Sequence, residues 1–160
     1  MLTEDRKEAI GALKGLVEIC KDGQEGYRTA AENIKEPEYK TIFENYAQQR
    51  GMFSSELQAE IRRLGSDEDS KNMEGIWKDM EGAAHRAWIN IKSAISSGDS
   101  KAILNECETG EDAAVRAYQD VLDDKNIPVE VSSLIRNQYA AVKEAHDRIR
   151  SLRNLERANH

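Results

Sequence analysis

The chain lacks the features that mark several common protein classes. Two cysteines and two prolines among 160 residues are too few for a disulfide framework or a proline-rich linker array. No run of about 20 uncharged apolar residues is present to cross a membrane. The opening residues, MLTEDRKEAI, are polar from the third position, unlike a secretory signal. We therefore expect a cytoplasmic protein.

Positive charge is also scarce. The chain has 23 lysines and arginines against 30 aspartates and glutamates, for a net charge of -7. Nucleic acids and anionic membranes bind basic surfaces, so we expect neither as a partner. With 39% hydrophobic and 33% charged residues, the composition is that of a chain that folds. Its length predicts a single domain over residues 1–160.

An alternating strand pattern is absent as well, and apolar residues instead recur every three or four positions. This spacing predicts helices with one apolar face each, which pack as a bundle. The predicted helices, about five in number, span residues 4–34, 37–64, 72–96, 100–123 and 128–155. The loop at 65–72 reaches at most about 28 Å, whereas the helix before it is roughly 40 Å long. Because such a loop cannot cross the bundle, the predicted fold class is an all-α, up-down antiparallel bundle.

Four stretches of the sequence have a distinctive composition, namely EICKDGQEGY at 18–27, HRAWINIK at 85–92, GED at 110–112 and HDRI at 146–149. They resemble an uncharacterised bacterial family of ferritin-like helical bundles, a domain of unknown function, and the likeness extends over most of the chain. The resemblance implies a ferritin-like fold in which the helix at 72–96 connects two pairs of core helices. It implies no reaction, although it suggests a role in a bacterial stress response.

The sequence departs from the metal-binding pattern of ferritin-like di-iron proteins. Those proteins use a Glu on each of two helices and a Glu-x-x-His pair on each of the other two. Here the second helix has Arg50 and Phe53 at that spacing, and the last helix has Lys143 and His146. Only Glu111 and His146 match the required ligand types, too few to neutralise two divalent ions. We therefore expect no metal cofactor, with iron or manganese as the alternative.

A buried polar network is predicted at the centre of the bundle. Counting residues outward from the turns places Gln24, Arg50 and Glu111 at one level. Arg50 is expected to pair with Glu111, because a buried guanidinium needs an opposite charge; alternatively, it reaches the rim and extends into water. Gln24 and Gln138 would satisfy the remaining donors. His146 would be a hydrogen-bonded core histidine, or else a metal ligand.

Two further groups of side chains have simple expected roles. Cys20 and Cys107 lie on apolar faces at different levels, so we expect two unreactive core thiols rather than a disulfide. Glu18 and Glu25 fall beside Lys14 on the outer, charged face of the first helix, where solvent is the expected environment.

The resulting expectation is a non-catalytic binding or structural module rather than an enzyme, one able to form a homo-oligomer or to bind a protein partner. The alternative is a metal-binding oxidoreductase or iron-handling protein that uses Glu108, Glu111 and His146. A third hypothesis is an apolar small-molecule site between four aromatic side chains. These are Trp77, Trp88, Tyr46 and Phe53.

Overall fold

A computed structural model describes residues 4–65 and 76–158. Within these two stretches the protein is all-helical and contains no strand. None of the described helices has the length and apolar character needed to cross a membrane. The helices are α1 (Glu4–Asn33), α2 (Pro37–Arg63), α3 (Ile76–Ala87), α4 (Ile91–Ser97), α5 (Ser100–Leu122) and α6 (Val129–Ala158). The predicted helical start at 72–75 and the terminal His160 lie outside the described residues.

Turn chemistry separates α4 from α5. Gly98 ends α4 with a φ of 70°, a left-handed conformation that glycine adopts without strain. The next residue, Asp99, caps α5, because its carboxylate accepts a hydrogen bond of 3.0 Å from the backbone N–H of Lys101. The chain therefore reverses within two residues, which brings α4 against α5.

The single helix predicted at 72–96 is a misreading, since the described part of it forms two helices. The backbone tightens between α3 and α4, where N–H groups bond to carbonyls three residues earlier instead of four, as from Trp88 to His85 at 3.3 Å. At this break the Trp88 ring inserts between α1 and α5. A Cβ at Gly26 would lie 2.3 Å from this ring, and one at Gly110 would lie 2.2 Å from it.

The hydrophobic core consists of two clusters stacked along the bundle. The first surrounds the N-terminal half of α1 and includes Leu13 and Tyr118. The second surrounds the C-terminal half of α1 and includes Tyr27 and Phe43. Both clusters draw on α2, α5 and α6, so each of these helices contributes to both halves of the core. The buried side chains of Arg50 and Glu111 lie at the level between the two clusters.

The first helix is buried more completely than its charge pattern predicts. Every residue from Ala9 to Val17 is buried, and α2, α3 and α5 all pack against α1. Lys14, expected on an outer face, is only 7% exposed. Glu18 is half-buried and Glu25 is exposed. The outer-face prediction is thus wrong for Lys14, since the pattern within one helix does not show which neighbours cover it.

Candidate functional site

A buried ion pair joins α2 to α5 at the middle of the bundle. Arg50 is 1% exposed and Glu111 is fully buried. Nη1 of Arg50 donates to Oε1 of Glu111 at 2.5 Å, and Nη2 donates to Oε2 at 2.6 Å. This parallel, two-bond geometry is the strongest form of an arginine–carboxylate contact. A third donor, Nε, bonds to the side-chain oxygen of Gln49 at 3.3 Å.

The neighbours of the pair explain how a guanidinium fits inside the core. Gly23 on α1 lies beside Arg50, and a Cβ there would approach Nη1 to 3.4 Å. The ring of Tyr27 faces the guanidinium carbon at 5.7 Å from its centroid, a favourable contact for a cation. Burial works to lower the pKa of Arg50, but the charge and hydrogen bonds of Glu111 outweigh it and raise that pKa. The guanidinium therefore stays charged.

A second polar network begins at Cys20 and leads outward. The hydroxyl of Tyr118 donates to Oε1 of Gln138 at 2.7 Å, so the Cys20 thiol, 3.3 Å away, donates to that hydroxyl. The amide of Gln138 then donates to the carboxylate of Glu56 at 2.9 Å. Gln138 thus bonds to this network and to the backbone of Phe53. No hydrogen bond between Gln138 and the Arg50 guanidinium is found among the described side chains.

Burial suppresses the reactivity of both thiols. It raises the pKa of Cys20 to about 11, an effect that the hydrogen bond with Tyr118 only partly opposes. It also raises the pKa of Cys107 well above the usual value. Both cysteines are free and buried. Neither offers the accessible thiolate that redox or nucleophilic chemistry needs.

Gln24 and the tryptophans of the third hypothesis lie in different parts of the fold. Gln24 is half-buried, and its amide nitrogen would lie 2.5 Å from a Cβ at Gly51. It lines a groove between α1 and α2. Trp77 and Trp88 belong to different core clusters. The third hypothesis, an apolar small-molecule site between these rings and those of Tyr46 and Phe53, stays a prediction.

His146 belongs to a third network, at the seam between α5 and α6. Its Nε2 lies 2.6 Å from Oδ1 of Asp112, and its Nδ1 lies 3.0 Å from Oδ1 of Asp147. The ring is buried, with 5% exposure. The hydrogen bond with His146, followed by that with Lys143, lowers the pKa of Asp147. His146 is therefore hydrogen-bonded, but to side chains other than the central pair.

Glu108 lies in the same seam and contacts two arginines. It is 6% exposed. Nε of Arg150 is 3.3 Å from Oε1 of Glu108, and Nη1 of Arg153 bonds to Oε2. These bonds tie α5 to the C-terminal half of α6. The contacts at this end of the two helices, and those of Tyr118 with Gln138 at the other, show that α5 and α6 run antiparallel.

The metal-ligand set predicted from the sequence needs one correction. Glu111 is engaged by Arg50 and does not join Glu108 and His146. Asp112 takes its place, so that Glu108, Asp112 and His146 each present a ligand atom within 4.8 Å of the others. Sequence reasoning missed Asp112, although its position four residues after Glu108 puts both carboxylates on one face of α5.

A family model, described as Domain of unknown function (DUF2383), matches residues 8–124, well over half of the chain. The chain belongs to the DUF2383 family. This agrees with the resemblance to a domain of unknown function. No curated protein matches the chain. The DUF2383 match covers α1 to α5, and therefore Arg50, Glu111, Glu108 and Asp112, but ends before α6, which supplies His146.

Proposed function

We propose that this DUF2383 protein is a non-catalytic, ferritin-like bundle that acts as a binding or structural module. In this proposal α1, α2, α5 and α6 correspond to the four core helices in up-down order, and α3 with α4 forms the connection. The observation that carries it is the bidentate Arg50–Glu111 pair at the centre of the bundle. A role in the bacterial cytoplasm during stress, and assembly with itself or with a protein partner, belong to the same proposal and rest on the family resemblance.

The pair argues against a metal centre on electrostatic grounds. A ferritin-like site needs several carboxylates facing a common space. Here both oxygens of Glu111 accept hydrogen bonds from Arg50, and the guanidinium carries the positive charge that an ion would otherwise supply. A divalent ion at this level would be repelled by a cation that has no route to solvent. The centre of the bundle is thus closed by an internal ion pair.

Iron oxidation tests this proposal directly. We expect that the protein, mixed with iron(II) in air, does not accelerate the appearance of iron(III) above the rate in buffer. The matched control is the double variant Arg50→Met with Glu111→Leu, which removes both charges of the central ion pair while keeping its volume.

Two outcomes would overturn the proposal. One is iron oxidation well above the buffer rate that the double variant abolishes. The other is tight binding of about two iron or manganese ions per chain, the stoichiometry of a ferritin-like centre, lost in the same variant.

A further inference from the structure

The seam between α5 and α6 carries a group of potential metal ligands that the central ion pair does not use. Glu108 and Asp112 lie one turn apart on α5, and His146 reaches them from α6. The Glu108 and His146 side chains are 7% and 6% exposed, whereas that of Asp112 is 51% exposed. Two of the side chains are therefore held in place by packing, and the third opens the group to solvent.

The orientation of His146 is the second observation. The carboxylate of Asp147 lies 3.0 Å from Nδ1 of the ring, so the opposite nitrogen, Nε2, faces α5. A carboxylate on the far nitrogen is the usual support of a metal-bound histidine, because it fixes the ring and makes it a better ligand. Lys143 in turn contacts Asp147 at 2.9 Å and holds that carboxylate.

We propose that Glu108, Asp112 and His146 form a peripheral site for one divalent transition-metal ion, for which zinc is the best fit. One imidazole nitrogen and two carboxylate oxygens are a donor set that zinc accepts, with a fourth position left for water. The ligand atoms of a tetrahedral zinc site lie roughly 3.3–3.6 Å apart. The present separations of up to 4.8 Å therefore need to close by about 1 Å when the ion binds.

Arg150 controls access to this site. Its Nε is 3.3 Å from Glu108 and its Nη2 is 3.4 Å from Nε2 of His146, so the guanidinium lies next to the space that the ion would take. The Arg150 side chain is 51% exposed and can swing into water. Arg153 contacts the other oxygen of Glu108, which leaves Oε1 for the metal. Guanidinium and metal thus compete for one carboxylate oxygen.

The test is a calorimetric titration of the chelator-treated, full-length protein with zinc chloride. We expect about one ion bound per chain, and in Asp112→Asn a loss of affinity of at least about tenfold, the effect typical of changes around a metal. Asp112→Asn keeps the shape of an exposed side chain and should leave the fold intact. Arg150→Gln should bind zinc several-fold more tightly than the parent protein, because the competing cation is gone.

The matched control is Asp120→Asn, an exposed aspartate two turns further along α5, which should bind zinc like the parent. His146→Asn, checked for folding by circular dichroism, should lose binding as Asp112→Asn does. The proposal is wrong if zinc does not bind, if Asp112→Asn and Asp120→Asn behave alike, or if Arg150→Gln weakens binding. A purely structural salt-bridge network would give the last of these results or no binding at all.

Discussion

For a single side chain, the effect of burial on its charge state depends on its hydrogen-bonding partner. Arg50 meets an ionised carboxylate and stays charged, whereas Cys20 meets a neutral hydroxyl and keeps its proton. Glu8, near the start of α1, is subject to opposing effects on its pKa. Its Oε1 accepts a hydrogen bond of 3.1 Å from the indole N–H of Trp77, yet burial, and then the hydrogen bond and charge of Asp124, raise the pKa of Glu8 above its usual 4.5.

This raised pKa predicts a pH dependence of stability. A group whose pKa is higher in the folded state stabilises the fold below its unfolded pKa, and that contribution is lost as pH rises through the folded value. Glu8→Gln removes the titrating group. The free energy of unfolding of this variant, relative to the parent, should therefore increase as pH rises from about 4 to about 7.

Urea titrations of the two proteins at several pH values measure this difference. If the two stability curves run parallel across the range, Glu8 does not titrate in the way that its surroundings indicate.

At the level of whole elements, Trp88, at the break between α3 and α4, packs into the centre of the bundle. Trp88 packs its ring between α1 and α5, in the space that Gly26 and Gly110 leave, and its edge meets the Tyr27 ring at a centroid distance of 5.2 Å. Tyr27 in turn covers Arg50. Tyr27 therefore links the break between α3 and α4 to the central ion pair, because it contacts both Trp88 and Arg50.

Adding a methyl group at either glycine tests this packing. Gly26→Ala and Gly110→Ala should each destabilise the protein by about 1–3 kcal/mol, the usual cost of overpacking a core. Gly82→Ala on α3 is the control, because its Cβ would meet only the flexible end of Arg86, at 3.1 Å. That change should be neutral or stabilise by up to about 1 kcal/mol through helix propensity.

Denaturant unfolding gives the three free energies, and tryptophan fluorescence reports whether Trp88 has moved. Equal effects of all three substitutions would show that Trp88 is not wedged between the helices.

The helices could be predicted from periodicity, but their surroundings could not. The three-to-four spacing located every described helix, since each needs one apolar face to pack. It missed the break after Ala87, because one tightened turn barely changes which side chains share a face. It also misplaced Lys14, because the charge pattern of α1 alone does not show which side chains are buried. Both errors concern packing between helices, and the apolar pattern of one helix does not identify its neighbours.

Across the whole molecule, the polar level between the two core clusters was predictable in part. Antiparallel helices rise at a fixed distance per residue, so counting from the turns brought Arg50 level with Glu111. Counting residues from the turns predicts the height of a side chain along the bundle, but it does not predict the direction in which that side chain points. Gln138 and His146 therefore turn toward other partners, and Asp112, a surface residue by its position on α5, meets His146 only because α6 packs across it.

The central claim is that a buried Arg50–Glu111 pair closes the middle of the bundle, and a double-mutant cycle tests it most directly. Arg50→Met and Glu111→Leu should each lower the free energy of unfolding by roughly 3–5 kcal/mol, because each leaves an unpaired charge in the core. The double variant should recover most of that loss, since it removes both charges and keeps the volume. Denaturant titrations of the parent and the three variants give the coupling energy. Small, additive losses of about 1 kcal/mol or less, as for an exposed pair, would contradict the account.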